Sequence, residues 1–371
     1  LAGELQSSTQ HRKSEPGHAP WHSRRQTRHL GNTSMNTHTT KTRTAALLAA
    51  AMITLGAATT VFAATPGSQL ISMSTVTVGN IGNAADPATG SRYGAVSYEY
   101  QIGKYEVTNA QYVAFLNAVD STGANTLSLY NSSMSSNASG GITWNSSSSR
   151  YEVKANFDLK PVNFVSFYDA MRFTNWLTTG DTETGVYNLL GGSETPTNGL
   201  TVTRTLDQIP GTLWALPSED EWYKAAYYNG NGTYRTNPVT GPLSQTTANY
   251  YDGGYALPSP YLADVDHYDL VTGAGSFYGT FQQGGNVWER NDTIINGNAR
   301  GERGGTFDGL ADSLDSSARD DYGGLPDYEF NTIGFRVAAL SSLAAVPEPE
   351  TYAALAGLAL LAFAVTRKRS R

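Results

Sequence analysis

Gly284-Gly285-Asn286-Val287-Trp288-Glu289-Arg290, taken with Arg303-Gly304-Gly305-Thr306-Phe307, decides how this chain folds. Two glycine pairs bracket a Trp, a Glu and two Arg. Glycine admits φ > 0 and lets a neighbouring backbone or an ion come close. A carboxylate a few residues from such a glycine can join main-chain carbonyls around a hard cation. The segment therefore predicts either a knot of loops closed by an ion or a pair of tight turns over a buried Trp. Spacing alone leaves both open.

The 371 residues allow one large domain or two modest ones. Charged residues make up 15% and aromatics 11%, with 22 Tyr and 38 Gly, which suits a loop-rich fold and not a helical bundle. The absence of Cys excludes disulfides, thiolate metal sites and thiol catalysis. The net charge of −7 is unevenly spread. Both ends are basic, leaving 14 basic and 28 acidic groups in residues 64–346. An acidic body disfavours nucleic acid as a partner and suits cations or solubility. His11, His18, His22, His29 and His38 lie near the N-terminus, and only His267 is in the body.

Residues 1–34 are polar and without apolar period, which predicts disorder or an untranslated extension. Residues 35–63 read as a signal peptide. Lys41 and Arg43 form the charged region, Ala45 to Leu55 the apolar one, and Val61-Phe62-Ala63 the small-residue cleavage context. Residues 64–342 form the body. Alternation from Gln69 to Val78 predicts a strand, as does Tyr98 to Ile102. Thr108 with Gln111, Ser166 with Asp169, and Ser218 with Glu221 have capping-box spacing, each ahead of a short amphipathic helix. Residues 121–150, rich in Ser, Asn and Gly, predict an exposed insertion. Residues 229–281 show little period, a length that points to functional or ion-pinned loops. Ile333 to Val337 predicts a closing strand.

Six blocks stand in a recognisable order: Lys104 to Asn109, Pro161 through Leu177, Leu216 through Ala226, Gly285 to Glu289, Arg303 to Gly305, and Gly334 to Arg336. Over about residues 70–340 the chain resembles the formylglycine-generating enzyme, or sulfatase-modifying factor, family. The resemblance implies an irregular, loop-rich α+β fold related to C-type lectins, with bound calcium. It also implies a copper-binding cysteine pair, whose positions fall near Gly309 and Leu314 here. Neither can hold Cu(I), which takes soft sulfur ligands, so copper is not expected. A related iron site on a histidine triad is also ruled out, because the body has only His267.

For calcium, the resemblance implies one site from Gln282, the carbonyls of Gly285 and Val287, and Glu289. A second would use Asn249, the carbonyl of Tyr250, and Asp252 or its rival Asp266. The alternative for Glu289 is a plain ion pair with Arg290 or Arg303.

The C-terminus carries Val346-Pro347-Glu348-Pro349-Glu350, an apolar run over 352–365, and a basic end from Arg367 to Arg371. Residues 343–371 resemble a PEP-CTERM sorting signal. This implies export across the inner membrane of a Gram-negative bacterium, with a signal peptidase and an exosortase-type protease as processing partners. The apolar run would be a transient membrane tether, the basic end staying inside, and the product would be at the cell surface or extracellular. Three functions fit: a non-catalytic surface or matrix protein binding glycan or another extracellular polymer, an enzyme using Asp308, Asp312 and Asp315, or a scaffold for partner proteins.

Overall fold

The computed structural model describes residues 64–341, apart from 192, 208, 210, 296, 298 and 321–323. The extension, signal-peptide, tether and sorting-signal expectations lie outside the described residues. No helix among the described residues is long and apolar enough to cross a membrane.

The strands are β1 (Thr75–Val78), β2 (Tyr100–Gly103), β3 (Ile142–Asn145), β4 (Arg150–Val153), β5 (Thr212–Ala215), β6 (Trp288–Ile295), β7 (Ala299–Arg303), β8 (Ile333–Phe335) and β9 (Ala338–Ser341). The helices are α1 (Asn109–Val119), α2 (Ser133–Ser136), α3 (Phe167–Thr179) and α4 (Glu219–Tyr227). An antiparallel sheet runs β1-β2-β9-β5, β3 and β4 form a hairpin, and a third sheet runs β7-β6-β8 with β6 and β8 parallel. The architecture is α+β, and no helix or strand falls between α4 and β6.

All three capping boxes form. Thr108, Ser166 and Ser218 each accept from the backbone N–H three residues on, and Gln111, Asp169 and Glu221 reach back. Each satisfies orphan donors that short helices cannot leave bare. α1 and α3 then bury their apolar faces together: Phe115 meets Phe173 at 5.4 Å and Trp176 at 5.3 Å, and Phe173 meets Phe335 of β8 at 5.4 Å. This core ties the helices to the glycine-rich segment's own sheet.

Three expectations are corrected. The strand predicted from Gln69 spans only Thr75–Val78, and Gly67–Gln69 forms a 3-10 turn instead. A Cβ at Gly67 would lie 2.4 Å from the Trp176 ring, so the chain is pressed onto that indole and cannot run straight. The 121–150 stretch is not a bare exposed insertion. It holds α2 and the first strand of a hairpin, with Leu129, Met134 and Ile142 buried and Trp144 against Tyr151 at 4.8 Å. A few apolar anchors fix it despite its polar composition. At the C-terminal end, the single closing strand is two, β8 and β9, which belong to different sheets.

Candidate functional site

β6 places Glu289 in the interior, where its carboxylate meets Arg336 just beyond β8. Arg336 donates Nη2 to Oε1 and Nε to Oε2, both at 2.5 Å, and neither side chain is exposed. Trp222 of α4 donates Nε1 to Oε2 at 2.6 Å. The remaining Arg336 donors reach the carbonyls of Gly103 at 2.8 Å and Phe281 at 2.9 Å. One ion pair thus ties both main sheets, α4 and the long loop. Glu289 does not pair with Arg290 or Arg303: Arg290 pairs with Glu302 at 2.7 Å, and Arg303 with Glu219 at 2.6 Å. Successive strand residues face opposite ways, so Arg290 cannot follow Glu289 to the same side.

The two expected cation sites are neighbours. Asn249 and Gly285 form an isolated bridge, and Asn286 N–H donates to the Asn249 carbonyl at 2.8 Å. Gly285 has φ 82°, and a Cβ there would lie 2.0 Å from that carbonyl oxygen, so no other residue fits. Around this contact is a buried polar nest. Asn286 donates Nδ2 to Glu106 Oε1 at 3.0 Å, while its Oδ1 accepts from Asn249 Nδ2 at 3.0 Å and Ala263 N–H at 2.9 Å. Gln282 donates Nε2 to the Asp264 carbonyl at 3.1 Å.

Glu106 Oε2, Asn249 Oδ1 and Gln282 Oε1 are buried acceptors with no hydrogen-bond partner among the described residues. Burial, reinforced by nearby Glu289, pushes the Glu106 carboxyl well above the usual range. Buried oxygens without donors are the kind of ligand a hard cation takes. Asn249 and Gln282 thus each keep an oxygen without a donor, and so does Glu106, which sequence spacing did not single out. The other expected ligands sit differently. Glu289 already accepts three hydrogen bonds, leaving little of a carboxylate's acceptor capacity. The Tyr250 carbonyl accepts from Gln245 Nε2 at 2.8 Å, and Asp252 and Asp266 are exposed. Among the described residues, no three His, Asp or Glu side chains group closely enough to hold a metal.

Gly309 and Leu314, near where the resemblance puts the cysteine pair, flank a short loop. Leu314 is buried with Ala248 and Tyr250, so that position packs. Beside it is an open groove of about 540 Å³ lined by Trp288, Asp312, Ser313, Asp315, Ser317, Ala318, Arg319 and Asp320. Trp288, expected to fill the core, is half-buried on this groove. Arg319 bonds Glu219 at 3.1 Å and donates to Tyr93 at 2.9 Å, Asp315 accepts from Asn237 at 2.6 Å, and Asp308 accepts from Thr306 at 2.5 Å.

The model of the sulfatase-modifying factor enzyme 1-like domain matches residues 59–340. The chain belongs to this family. It is a sulfatase-modifying-factor-like chain with no Cys at the matching positions or anywhere else. Residues 345–369 match the PEP-CTERM protein-sorting motif, which marks proteins of Gram-negative bacteria for export, exosortase processing and surface-directed sorting. No curated protein matches. Similar solved structures include Treponema denticola variable protein 1, at 20% identity and TM-score 0.48, covering 72% of this chain and 94% of that one. CarF matches at 20% identity and TM-score 0.48, covering 72% and 97%. PvdO from Pseudomonas aeruginosa matches at 15% identity and TM-score 0.41, covering 72% and 91%.

Proposed function

We propose that this chain is a non-catalytic binding module of the cell surface or extracellular matrix. It would hold an extracellular polymer or a partner on the face around Trp288 and the Gly309–Ser313 loop. A signal peptidase would cut near Ala63, an exosortase-type protease near Pro347-Glu348-Pro349, and 352–365 would serve as a transient tether. The observation that carries the reading is the chemistry beside the groove: Gly309 offers no side-chain ligand and Leu314 is packed away, where the resemblance would put the family's cysteines. The groove's Trp, Ser, Asp and Arg can stack with and hydrogen-bond a polar ligand. Asp308 and Asp315 are engaged in local hydrogen bonds, so the acid–base alternative would rest on Asp312 of the groove.

Calcium would act as a structural ion in the nest of Glu106, Asn249 and Gln282, pinning loops that have no regular structure of their own. Titration of the full chain with Ca²⁺ by calorimetry is expected to give heat and a raised melting temperature. A flat titration would remove the ion from the reading. The functional test has two arms. Full chain is incubated with copper, oxygen and a cysteine-containing sulfatase-type peptide, and separately with polymer released from a bacterial surface. Polymer retention without peptide oxidation is expected, and formylglycine formation would overturn the proposal.

A further inference from the structure

The long loop and the Gly309 loop together build an aromatic ladder. Tyr255 stacks on Tyr261 with centroids 3.8 Å apart and planes 19° apart, and Phe307 flanks the pair, 6.2 Å from Tyr261 and 6.4 Å from Tyr255. Tyr251 closes one side, edge-on to Tyr255 at 5.3 Å and 80°. Tyr255 nonetheless remains 44% exposed. The ladder is held from below by the buried nest, since Asn249 Nδ2 donates to the Tyr261 carbonyl at 2.9 Å. Tyr251 N–H donates to the Gly309 carbonyl at 2.8 Å, so the ladder is continuous with the loop that borders the Trp288 groove.

The phenol hydroxyls here are open to a ligand. Those of Tyr98, Tyr100, Tyr112, Tyr151, Tyr223 and Tyr227 are tied into the fold by hydrogen bonds. Those of Tyr251, Tyr255 and Tyr261 make none among the described residues. Exposed rings with free hydroxyls can stack through a face and bond through an edge at the same time. Charge narrows the ligand. Residues 236–263 contain no Lys, Arg or His, and Asp252 is their single charge. Lys160, which reaches the Leu262 carbonyl at 3.0 Å, is already paired with Asp264, so an anionic polymer would meet an acidic body with that cation engaged.

We propose that Tyr251, Tyr255 and Tyr261 form a stacking platform for a neutral polysaccharide of β-linked pyranoses with equatorial hydroxyls. Such sugars present flat C–H faces to a ring and hydroxyls to its rim, where the free phenols and Asp252 await them. The proposal rests on the polymer-binding reading and gives it an address and a ligand class.

Calorimetry of the full chain with cellohexaose, maltohexaose and hexagalacturonate tests it. Cellohexaose is expected to bind best and the charged oligomer not at all. Tyr255→Ala should weaken cellohexaose binding about tenfold or more, while Tyr255→Phe retains most of it because the face survives. Tyr251→Ala gives a second reading should Tyr255→Ala misfold, and Trp288→Ala reports the groove. Loss of binding in Trp288→Ala with none in Tyr255→Ala would overturn the platform but keep the polymer-binding reading. Absence of cellohexaose binding by the parent chain would also overturn the platform, whereas the broader reading falls only if surface polymer too is not retained.

Discussion

Replacing Arg336 by Met tests how much of the fold hangs on one ion pair. The substitution keeps length and apolar stem but removes every donor. Glu289 is then left charged and buried close to Glu106, and breaking a buried pair in this way costs about 3–5 kcal/mol. The carbonyls of Gly103 and Phe281 also lose donors, at about 1–3 kcal/mol each. Together this approaches the entire stability of an ordinary domain, on the order of 5–15 kcal/mol. Arg336→Met is therefore expected to leave little folded protein at neutral pH. Glu289→Gln with Arg336→Met should recover part of the loss, because the stranded charge is gone. Urea unfolding followed by tryptophan fluorescence reads the cycle, since Trp222 contacts the pair directly. If Arg336→Met lies within about 1 kcal/mol of the parent, or if the two substitutions simply add, the pair does not organise the core.

Two further outcomes are expected. Glu302 is buried against Arg290, and burial outweighs that partner and pushes its carboxyl up to about 7. A carboxyl raised on folding supports the folded state fully below about pH 4.5 and loses that support as pH rises towards 7. Its contribution should fall by about 1.4 kcal/mol per pH unit in that window. Urea melts of the parent and Glu302→Gln at pH 5 and 7 should therefore differ in slope, and equal slopes would refute the assignment. Gly285→Ala forces a Cβ into the Asn249 carbonyl at positive φ and should cost about 3 kcal/mol or more. A neutral result in the same urea assay would mean the two loops do not meet there.

What the sequence revealed and what it hid divide along sequence distance. The capping boxes at Thr108, Ser166 and Ser218 were legible because donor and acceptor sit three residues apart. The special place of Gly285 was legible because only glycine tolerates so close an approach. Glu289 was legible as a central carboxylate, but its partner was not, because Arg336 lies 47 residues on and is brought home by the parallel pairing of β6 with β8. Glu106 was hidden for the same reason, since its link to Asn286 spans 180 residues. The aromatic ladder came from a stretch without period, where ring order depends on turns that carry no apolar rhythm.

The place of β9 bears on when this protein can fold. The strand that ends at Ser341 is wedged between β2 and β5, pairing Gln101 with Ala339 on one side and Trp214 with Ala339 on the other. The first strands of the body therefore wait for almost the last residues before the sheet closes. Until those residues arrive, β2 and β5 lack their shared neighbour. Closure and the arrival of the sorting motif, which begins at residue 345, become nearly the same event.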